Sequence, residues 1–481
     1  MNRAGALLVI NGEVGGRPGL DVRVSSGRIA EIGPGLARRH GEAVLDAAGG
    51  AIIPGLHDHH VHLRAQIAAR ASLDVSGVRD PEAFDRLVAN AAGELGPGRS
   101  LRVTGWSEQS AGPLDRRRLD SLTGGVPARV QHRSGAMWVL NSPALRQSGV
   151  AGCDQEGVER DERGEPTGRL LRMDGWLREH LGTARQDDRP AAAFEAFASQ
   201  SARRGVTGFT DATPGRDQAD VDDFAAMSAT GVIPQRLVLM APPGLRGPAE
   251  GLVRLGPCKI ILDDTSLPEV ASLADFIAGA HRAGSRVAVH CVTAEQLIVA
   301  TEALGVALGA GKPGQASADR IEHASVVPPG FARRLAALGV TVVTQPGFIA
   351  ARGDDYLRDV PAAEREWLYP CASLLRAGVP VAAGTDAPFG PADPWQAVAS
   401  AVSRRTPSGA VVGPAEAVPA LTALRLFTAA PLEPARQRTV APGQPADLCV
   451  LRAPLSAVLA RPSAQWVLAS VVGGSAIPAA S

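Results

Sequence analysis

Apolar runs of strand length alternate with longer segments of helical period through the middle of the chain. The runs are rich in Val, Ile and Leu, which is typical of strands buried in a parallel sheet. The strand candidates are Leu101–Thr104, Val206–Thr210, Arg236–Met240, Cys258–Leu262, Arg286–His290, Arg320–His323, Val340–Thr344 and Val379–Ala383. The helical segments include Leu273–Ala283, Gly330–Ala337 and Trp367–Ala377. About eight strand-then-helix units over roughly 370 residues predict a (β/α)8 barrel rather than a doubly wound sheet.

Both ends of the chain have a different pattern, with short strand-like runs separated by glycine and proline. The runs are Ala6–Ile10, Asp21–Val24, Arg28–Ile32 and Ala51–Ile53 near the start, and Ala446–Leu451 and Trp466–Val472 near the end. Short runs bounded by turn residues predict strands. We therefore expect the two ends to pair into one small β-domain.

Charge and composition exclude several classes of protein. The 481 residues include 49 basic and 49 acidic side chains, and this balance excludes a generally basic nucleic-acid binder. With 45% hydrophobic residues the chain can build a large core, which excludes wholesale disorder. The apolar run Ala6–Ile10 is too short for the core of a signal peptide, and Pro462–Ser481 is too polar to cross a bilayer.

The cysteine count adds a further constraint. Five scattered cysteines, an odd number, do not indicate a disulfide framework. Together these features predict a soluble, cytoplasmic protein. Its expected partner is a small-molecule substrate, with no nucleic acid and no membrane, and a homodimer is one assembly that the sequence allows.

Lysine is almost absent from the chain. Of the 49 basic residues only Lys259 and Lys312 are lysine, so 49 − 2 = 47 are arginine. Arginine stays protonated and is a poor nucleophile, so a lysine in such a chain suits chemistry that arginine cannot perform. Codon bias is the competing explanation for an isolated lysine.

The most informative stretch is Pro54–His62, which contains four of the ten histidines. On a strand, residues two apart point to the same face, so His60 and His62 project together as two ligands of one metal would. His57 and His59 fall on the other face. On this spacing alone, a metal site and a histidine-rich turn without metal are equally acceptable interpretations.

Three later strands favour the metal site. His290 and His323 each end a predicted strand, and Asp386 follows the last one. Residues at the C-terminal ends of barrel strands meet at one mouth, where such enzymes keep their active sites. A set of four histidines and one carboxylate suits zinc or a similar divalent ion.

Lys259 lies on an apolar strand directly before the strand that ends in His290. A charged lysine inside a barrel is costly unless it is paired or modified. One interpretation is a rim lysine paired with Asp263 or Asp264. The other is carbamylation by carbon dioxide, which would make the side chain an anion able to bridge two cations.

Several short motifs accompany these residues and span nearly the whole chain. One set is Pro54-Gly-Leu-x-Asp58-x-His60-Val-His62, the strand-end His290 and His323, Gly384-Thr-Asp386-Ala-Pro388 and Pro442-Gly443-Gln-Pro-Ala446-Asp447-Leu448. This set resembles the amidohydrolase superfamily of metal-dependent hydrolases. A second set is Gly105-Trp106-Ser-Glu108, His132-Arg-Ser-Gly135, Asn141-Ser142-x-Ala144-Leu145, Gly157-Val-Glu-Arg-Asp161 and Pro166-Thr-Gly168. It is similar to the branch of that superfamily that contains N-substituted formamide deformylase.

The resemblance implies an architecture and a metal centre. Residues 55–431 would form the (β/α)8 barrel, and residues 1–54 together with 432–481 a small β-sandwich domain. Two divalent ions, zinc in this interpretation, would be bound, one by His60, His62 and Asp386 and the other by His290 and His323. A carbamylated Lys259 would bridge them. One departure from the family pattern is Cys291-Val-Thr after His290, where related chains more often carry a small residue, Gly and Asp.

The resemblance also implies hydrolysis of an amide-type carbon–nitrogen bond by a metal-activated hydroxide. Asp386 would take the proton of the nucleophile and give it to the leaving nitrogen. His132, at the end of a predicted strand, is either a hydrogen-bond donor to substrate or a structural histidine. Aromatic residues near strand ends either line an apolar pocket or pack in the core; they are Trp106, Trp138, Phe348, Phe389 and Trp395.

Two alternatives to this activity stay open. Deaminases, lactonases and decarboxylases share the fold, so the same metal site could act on another bond. A non-catalytic scaffold is the third interpretation, and it is disfavoured because every expected ligand position is filled.

Overall fold

The computed structural model describes residues 6–181, 190–309 and 319–478. Lys312 lies outside the described residues. The described chain forms two compact units. The insert unit is Leu63–Ala193, and the main unit consists of the residues before Leu63 and after Ala193.

The strands follow one another along the described chain in three groups. The first group is β1 (Leu7–Val14), β2 (Arg17–Ser25), β3 (Arg28–Gly33), β4 (Ala43–Asp46), β5 (Ile52–Pro54) and β6 (Leu56–Val61). The insert unit contains β7 (Leu73–Asp74), β8 (Leu101–Trp106), β9 (Ala128–His132), β10 (Met137–Leu140), β11 (Val158–Arg160) and β12 (Pro166–Leu171). The rest are β13 (Val206–Asp211), β14 (Arg236–Met240), β15 (Val253–Gly256), β16 (Cys258–Ile261), β17 (Val287–Cys291), β18 (Arg320–His323), β19 (Thr341–Thr344), β20 (Val381–Ala383), β21 (Leu448–Leu451), β22 (Val467–Val472) and β23 (Ser475–Pro478).

Helices lie between most of these strands. In the first half they are α1 (Leu63–Arg70), α2 (Pro81–Gly93), α3 (Glu108–Ala111), α4 (Arg116–Thr123), α5 (Ser142–Ser148), α6 (Asp174–Leu181), α7 (Pro190–Ala202) and α8 (Gln218–Ala229). In the second half they are α9 (Val270–Arg282), α10 (Ala294–Leu308), α11 (Phe331–Leu338), α12 (Gly347–Asp359), α13 (Cys371–Arg376), α14 (Pro394–Ser403), α15 (Ala420–Arg425) and α16 (Leu455–Ala460). Short 3-10 turns are Val150–Gly152, Arg365–Trp367, Pro414–Glu416 and Ala464–Trp466. No helix among the described residues is long and apolar enough to span a bilayer.

Nine strands of the main unit form two parallel sheets, in the orders β15-β14-β13-β6 and β16-β17-β18-β19-β20. Their side chains are mostly buried, which explains why the sequence reads as apolar runs rather than alternating ones. The mixed α/β class predicted from the strand–helix alternation is confirmed.

Within the described chain, no continuous ladder of backbone hydrogen bonds connects the two parallel sheets, so they do not form one closed barrel. At one side, β15 and β16 are consecutive and are separated by Pro257, which has no backbone N–H to donate. At the other side, His62 N donates to Ala387 O at 2.9 Å. The continuous eight-stranded ladder that the sequence predicts is therefore not seen.

The strands of the two chain ends form two further sheets, in the orders β3-β2-β1-β4 and β23-β22-β21-β5. In the second sheet β5, from the start of the chain, pairs antiparallel with β21, with Ile53 opposite Cys449. One hydrophobic cluster contains residues of both ends: Leu7, Val9, Val14, Leu20, Val22, Val24, Ile29, Ala47, Ile52, Ala446, Leu448, Val450 and Val471. These apolar contacts join the two ends within the main unit.

The insert unit has its own six-stranded mixed sheet, in the order β11-β12-β10-β9-β8-β7. The predicted strand Leu101–Thr104 forms as β8, but it lies in this sheet and not in the parallel sheets of the main unit. The reason is local: β9 and β10 form an antiparallel pair beside β8, and Val103 and Val130 are buried in a core within the insert unit. A strand-length apolar run in the sequence therefore predicts a strand, but it does not indicate which other strands will pair with it.

The residues at two helix starts, those of α13 and α10, determine where each helix begins. The predicted helix Trp367–Ala377 is interrupted, because Pro370 cannot continue a helix and α13 begins only at Cys371. In contrast, α10 begins with a capping box formed by Thr293 and Gln296, directly after the strand that carries His290. The five cysteines are free thiols, in agreement with the prediction that they do not form a disulfide framework.

Candidate metal centre

Three of the predicted ligands come together from two strand ends. His60 lies near the end of β6, His62 follows that strand, and Asp386 follows β20. One ligand atom from each lies within 4.8 Å of the others. His62 Nε2 is 3.2 Å and His60 Nε2 is 3.6 Å from Asp386 Oδ1. These atoms can surround a single ion.

The other two predicted histidine ligands adjoin this group. The ring centroid of His323 is 4.7 Å from that of His60 and 4.5 Å from that of His290. His323 Nδ1 lies 3.9 Å from Asp386 Oδ2. All four histidines and the carboxylate therefore form one continuous cluster in the main unit.

The remaining histidines of this stretch lie apart from that cluster. The rings of His57 and His59 pack against each other with centroids 4.6 Å apart, and His57 Nε2 shares a 2.8 Å hydrogen bond with Thr210 Oγ1. The alternation of side chains along the strand thus directs His60 and His62 into the cluster and leaves His57 and His59 to pack elsewhere.

Lys259 lies in β16 with its Nζ atom buried and without a hydrogen-bond partner in the described chain. The salt bridge with Asp263 or Asp264 is not formed; Asp264 Oδ1 instead accepts from Thr293 Oγ1 at 2.8 Å. Burial lowers the pKa of Lys259 to about 8, although the charges of Glu322 and Asp386 oppose this. The rim-lysine interpretation therefore does not describe this side chain.

The protonation states of the cluster suit a metal ion. Burial lowers the pKa of His60 and of His323, which keeps both imidazoles neutral. Burial alone would raise the pKa of Asp386, but the opposing effects, led by its side-chain hydrogen bond with His62, lower that pKa. Neutral imidazoles and an ionised carboxylate are the forms that bind zinc, and His60 Nε2 is buried without a hydrogen-bond partner. The residues present fit a divalent ion.

Three residues that the sequence did not single out hold the Nδ1 atoms of the ligand histidines. Such contacts leave Nε2 directed to a metal and fix the ring. The pairs are His60 with Glu322, His62 with Thr213 Oγ1 at 3.3 Å, and His323 with Gln345 Oε1 at 2.7 Å. A weak signal was present in the sequence, because Glu322 is in a histidine-bearing strand and the other two follow strands directly.

Asp58 connects the two segments that supply the first three ligands. Its carboxylate accepts from His60 N at 3.3 Å, from Thr385 N at 2.9 Å and from Thr385 Oγ1. Burial raises the pKa of Asp58 to about 7, against the lowering effect of these hydrogen bonds. The hydrogen bonds of Asp58 to both ligand-bearing segments explain why the motif contains an aspartate that is not one of the predicted ligands.

Two of the predicted ligands have unusual backbone angles. His323 has φ of 70° and Asp386 has φ of 55°, in the left-handed region that non-glycine residues rarely adopt. Strain of this kind persists where surrounding structure holds it, and it is concentrated at functional sites.

His132 lies in the insert unit at the end of β9. Its Nδ1 shares a 2.7 Å hydrogen bond with Ser134 Oγ, and its Nε2 is 3.2 Å from Glu108 Oε2. The ring also contacts Trp106 edge-on, with centroids 5.4 Å apart. The role of His132 as a donor to substrate stays a prediction.

The candidate pocket residues have different surroundings. Phe389 is half-buried and its ring meets His62 edge-on at 5.6 Å. The others are buried: Trp106 and Trp138 in cores of the insert unit, Phe348 beside Tyr369, and Trp395 with its Nε1 donating to Arg204 O at 2.9 Å. Phe389 therefore lies against a metal-site residue, whereas the packing of the other four favours a core role.

Comparisons with known proteins identify the family to which the chain belongs. A model of the amidohydrolase family matches residues 43–476. The chain is 26% identical to N-substituted formamide deformylase of Arthrobacter pascens over 491 aligned positions, with 89% of each chain covered.

Two solved structures show a similar fold. An uncharacterized metal-dependent hydrolase from Pyrococcus furiosus matches 92% of this chain and 97% of its own, with a TM-score of 0.68 and 22% identity. A mutant atrazine chlorohydrolase from Arthrobacter aurescens TC1, in complex with zinc and atraton, has a TM-score of 0.54 and 14% identity over 98% of this chain and 94% of its own. Because the family model covers most of the sequence, the predicted relationship is confirmed, and the chain belongs to the amidohydrolase family.

Proposed function

We propose that the protein is a metal-dependent hydrolase that cleaves a carbon–nitrogen bond other than a peptide bond in a small molecule. The observation that carries this proposal is the convergence of His60, His62 and Asp386, whose ligand atoms lie within 4.8 Å of one another. The family relationship supports the same reaction class.

Two ions fit the proposal better than one. His60, His62 and Asp386 would hold the first zinc ion, and His290 and His323 would hold the second. Support comes from His323, whose ring contacts both His60 and His290 and so connects two adjacent ligand groups. Zinc bound at such residues lowers the pKa of a water molecule and polarises a substrate carbonyl.

As a carbamate, Lys259 would supply the bridge between the ions. Its neutral amine forms a bond from Nζ to the carbon of carbon dioxide and loses a proton, which leaves an anion with two oxygens. The buried, unpartnered Nζ and its pKa of about 8 support this step, because the reaction needs the unprotonated amine. An unmodified ammonium would instead repel the ions.

Asp386 moves the proton. Its Oδ1 faces the Nε2 atoms of His62 and His60, so Oδ2 is the oxygen left to accept a proton from the attacking water. The same oxygen then delivers the proton to the leaving nitrogen. The histidines keep Asp386 ionised at neutral pH, which is the form that can accept.

N-substituted formamides are the first substrates to test, because a relative that aligns with most of the chain is named for that activity. Phe389, against His62, offers an apolar surface for the nitrogen substituent. The Cys291-Val-Thr segment differs from the family pattern beside His290, so the panel also includes lactones and aminated heterocycles.

We extend the proposal to the architecture. The nine parallel strands of the main unit, β6 and β13 to β20, would supply the eight strands of the (β/α)8 barrel of a catalytic domain at residues 55–431, with β15 and β16, on either side of Pro257, counting as one strand. Residues 1–54 with 432–481 would form a β-sandwich domain. The hydrophobic cluster shared by the two chain ends and the hydrogen bond from His62 N to Ala387 O support this arrangement.

The test is a substrate panel assayed with the zinc-loaded and the metal-depleted protein. We expect hydrolysis of an amide-type bond that disappears with a chelator and returns with zinc. Hydrolysis that persists in fully depleted protein would contradict metal dependence. Turnover of lactones in place of amides would overturn the assigned carbon–nitrogen bond and keep the metal site. Turnover of aminated heterocycles would keep a carbon–nitrogen bond and overturn only its amide type.

A further inference from the structure

Glu322, which contacts His60, belongs to a fully buried ion pair whose other member, Arg320, has no place in the proposed chemistry. Arg320 and Glu322, two residues apart in β18, have side chains that are 2% and 0% exposed. Arg320 Nε donates to Glu322 Oε1 at 2.7 Å, and the other oxygen of Glu322 contacts His60 Nδ1. Arg320 also donates through a terminal nitrogen to the backbone oxygen of His59 at 2.8 Å.

Burial makes this pair a poor choice for stability alone. Taking two charges out of water carries a large free-energy penalty, and the attraction within the pair often fails to offset it. Apolar residues of similar volume would serve a purely structural purpose at least as well. The penalty for burying the pair indicates that the two charges serve a purpose other than stability, which depends on where they lie.

The hydrogen bonds determine which nitrogen of His60 carries the proton. A guanidinium can only donate, and it occupies Oε1 of Glu322. A carboxylate can only accept, so with Arg320 on Oε1 the free Oε2 faces His60 as an acceptor, and His60 Nδ1 must be the donor. The lone pair of the neutral ring is then on Nε2, the atom that lies 3.6 Å from Asp386 Oδ1.

We propose that Arg320 and Glu322 are a positioning pair that selects the tautomer of His60 able to bind a metal ion. The inference rests on the proposed function only in that His60 holds the ion. The bond from Arg320 to His59 O adds to the effect, because it fixes the backbone one residue before His60.

The decisive variant is Glu322→Gln, which keeps the shape of the side chain. The guanidinium of Arg320 draws the amide oxygen toward itself, so the amide NH2 faces His60 Nδ1 and donates to it. This bond requires a lone pair on Nδ1 and places the ring proton on Nε2. We expect zinc to bind about 10–100-fold more weakly, which is the size of effect that contacts behind a ligand produce.

A double variant separates tautomer selection from simple packing. In Arg320→Met with Glu322→Gln, no guanidinium holds the amide oxygen, so the amide can turn and accept from His60 Nδ1. Zinc affinity should then recover relative to Glu322→Gln alone. A structural role predicts the opposite, because removing both partners would add to the damage.

A second comparison covers the case in which Glu322→Gln fails to fold. The double variants Arg320→Met/Glu322→Gln and Arg320→Met/Glu322→Met contain no buried charge at these positions. Of the two, only the glutamine can accept from Nδ1. The proposal expects tighter zinc binding with glutamine than with methionine, and equal affinities would overturn it.

Zinc affinity is measured on metal-depleted protein by competition with a chromophoric chelator, and thermal unfolding checks the fold. Glu416→Gln is the matched control, because Glu416 is another buried carboxylate and accepts from Ser373 N at 2.8 Å. It should lose stability and keep zinc affinity. Wild-type protein that binds no zinc would contradict the proposed function, whereas wild-type affinity in folded Glu322→Gln would overturn the positioning role alone.

Discussion

The backbone N–H of Asp386 donates to the carbonyl oxygen of His60 at 2.8 Å. One ligand from near the start of the chain is thereby joined to another from far along it. Gly384 permits this approach, since a Cβ atom at that position would lie 2.5 Å from His60 N and Cβ. The two ligand segments are packed too closely for any side chain to stand between them.

The first prediction concerns this contact. Gly384→Ala should destabilise the fold by about 1–3 kcal/mol, the usual cost of overpacking, and should weaken zinc binding because the segments must separate. Chemical denaturation and chelator competition measure the two effects. Gly305→Ala in α10 is the control, because its new methyl group would meet Leu338 at an ordinary 3.8 Å and should be tolerated. Unchanged stability in Gly384→Ala would show that the approach is looser than described.

The second prediction concerns the number of metal ions. Four histidines, Asp386 and Lys259 provide more ligands than one tetrahedral site uses, so we expect two zinc ions per chain. Elemental analysis of the purified, active protein gives the ratio directly. Active protein with no tightly bound metal would contradict the metal centre, and a ratio of one would contradict the second site.

The third prediction concerns proton transfer by Asp386. In Asp386→Asn the side chain keeps its size and a weakly coordinating oxygen, but it cannot accept a proton. We expect kcat to fall at least about 100-fold while the protein stays folded. Asp217→Asn is the control, since Asp217 caps α8 and asparagine caps helices equally well. Near-normal kcat in Asp386→Asn would exclude this residue as the proton carrier.

The fourth prediction uses the cysteines. Cys258, Cys291, Cys371 and Cys449 are buried, and burial raises the pKa of each thiol, that of Cys371 to about 11. At pH 8 these thiols stay protonated and shielded, so they should react slowly. Cys153 is partly exposed. Titration with a thiol reagent should therefore find one fast group in the native protein and five after denaturation. Cys153→Ser should abolish the fast group.

The clustering of the candidate ligands could be predicted from the sequence because it depends on strand geometry. Alternation along a strand placed His60 beside His62, and the ends of parallel strands placed His290, His323 and Asp386 near them. The apolar runs predicted the strands for the same reason. These features need no knowledge of which side chains pack together.

The residues behind the ligands could not be predicted in this way. Glu322 contacts His60 from another strand, and that contact depends on the register between strands that lie apart in the sequence. The sheet that β8 joins depends on the partners supplied by residues of the insert unit. Whether Trp106 lines a pocket or fills a core likewise depends on packing that a strand-end position does not reveal.

The last prediction concerns Lys259. Lys259→Arg keeps the positive charge, but a guanidinium does not form a carbamate under these conditions and would face the metal ions as a cation. We expect the variant to lose bound metal and most activity. Elemental analysis and the amide-hydrolysis assay measure both losses. Lys312→Arg, at the other lysine of the chain, is the matched control and should be close to silent.

Carbon dioxide gives an independent test of the same bridge. Formation of the carbamate consumes carbon dioxide, so metal-depleted protein reconstituted with zinc should regain activity faster in bicarbonate buffer than in buffer free of it. Lys259→Arg should show no such dependence, because it has no amine to modify. Activity that survives Lys259→Arg, or density for an unmodified amine in a fully metallated crystal, would contradict the bridge. Two results together would instead indicate that the lysine binds a single ion through its neutral nitrogen. They are a reconstitution rate that does not depend on bicarbonate and the loss of metal in Lys259→Arg.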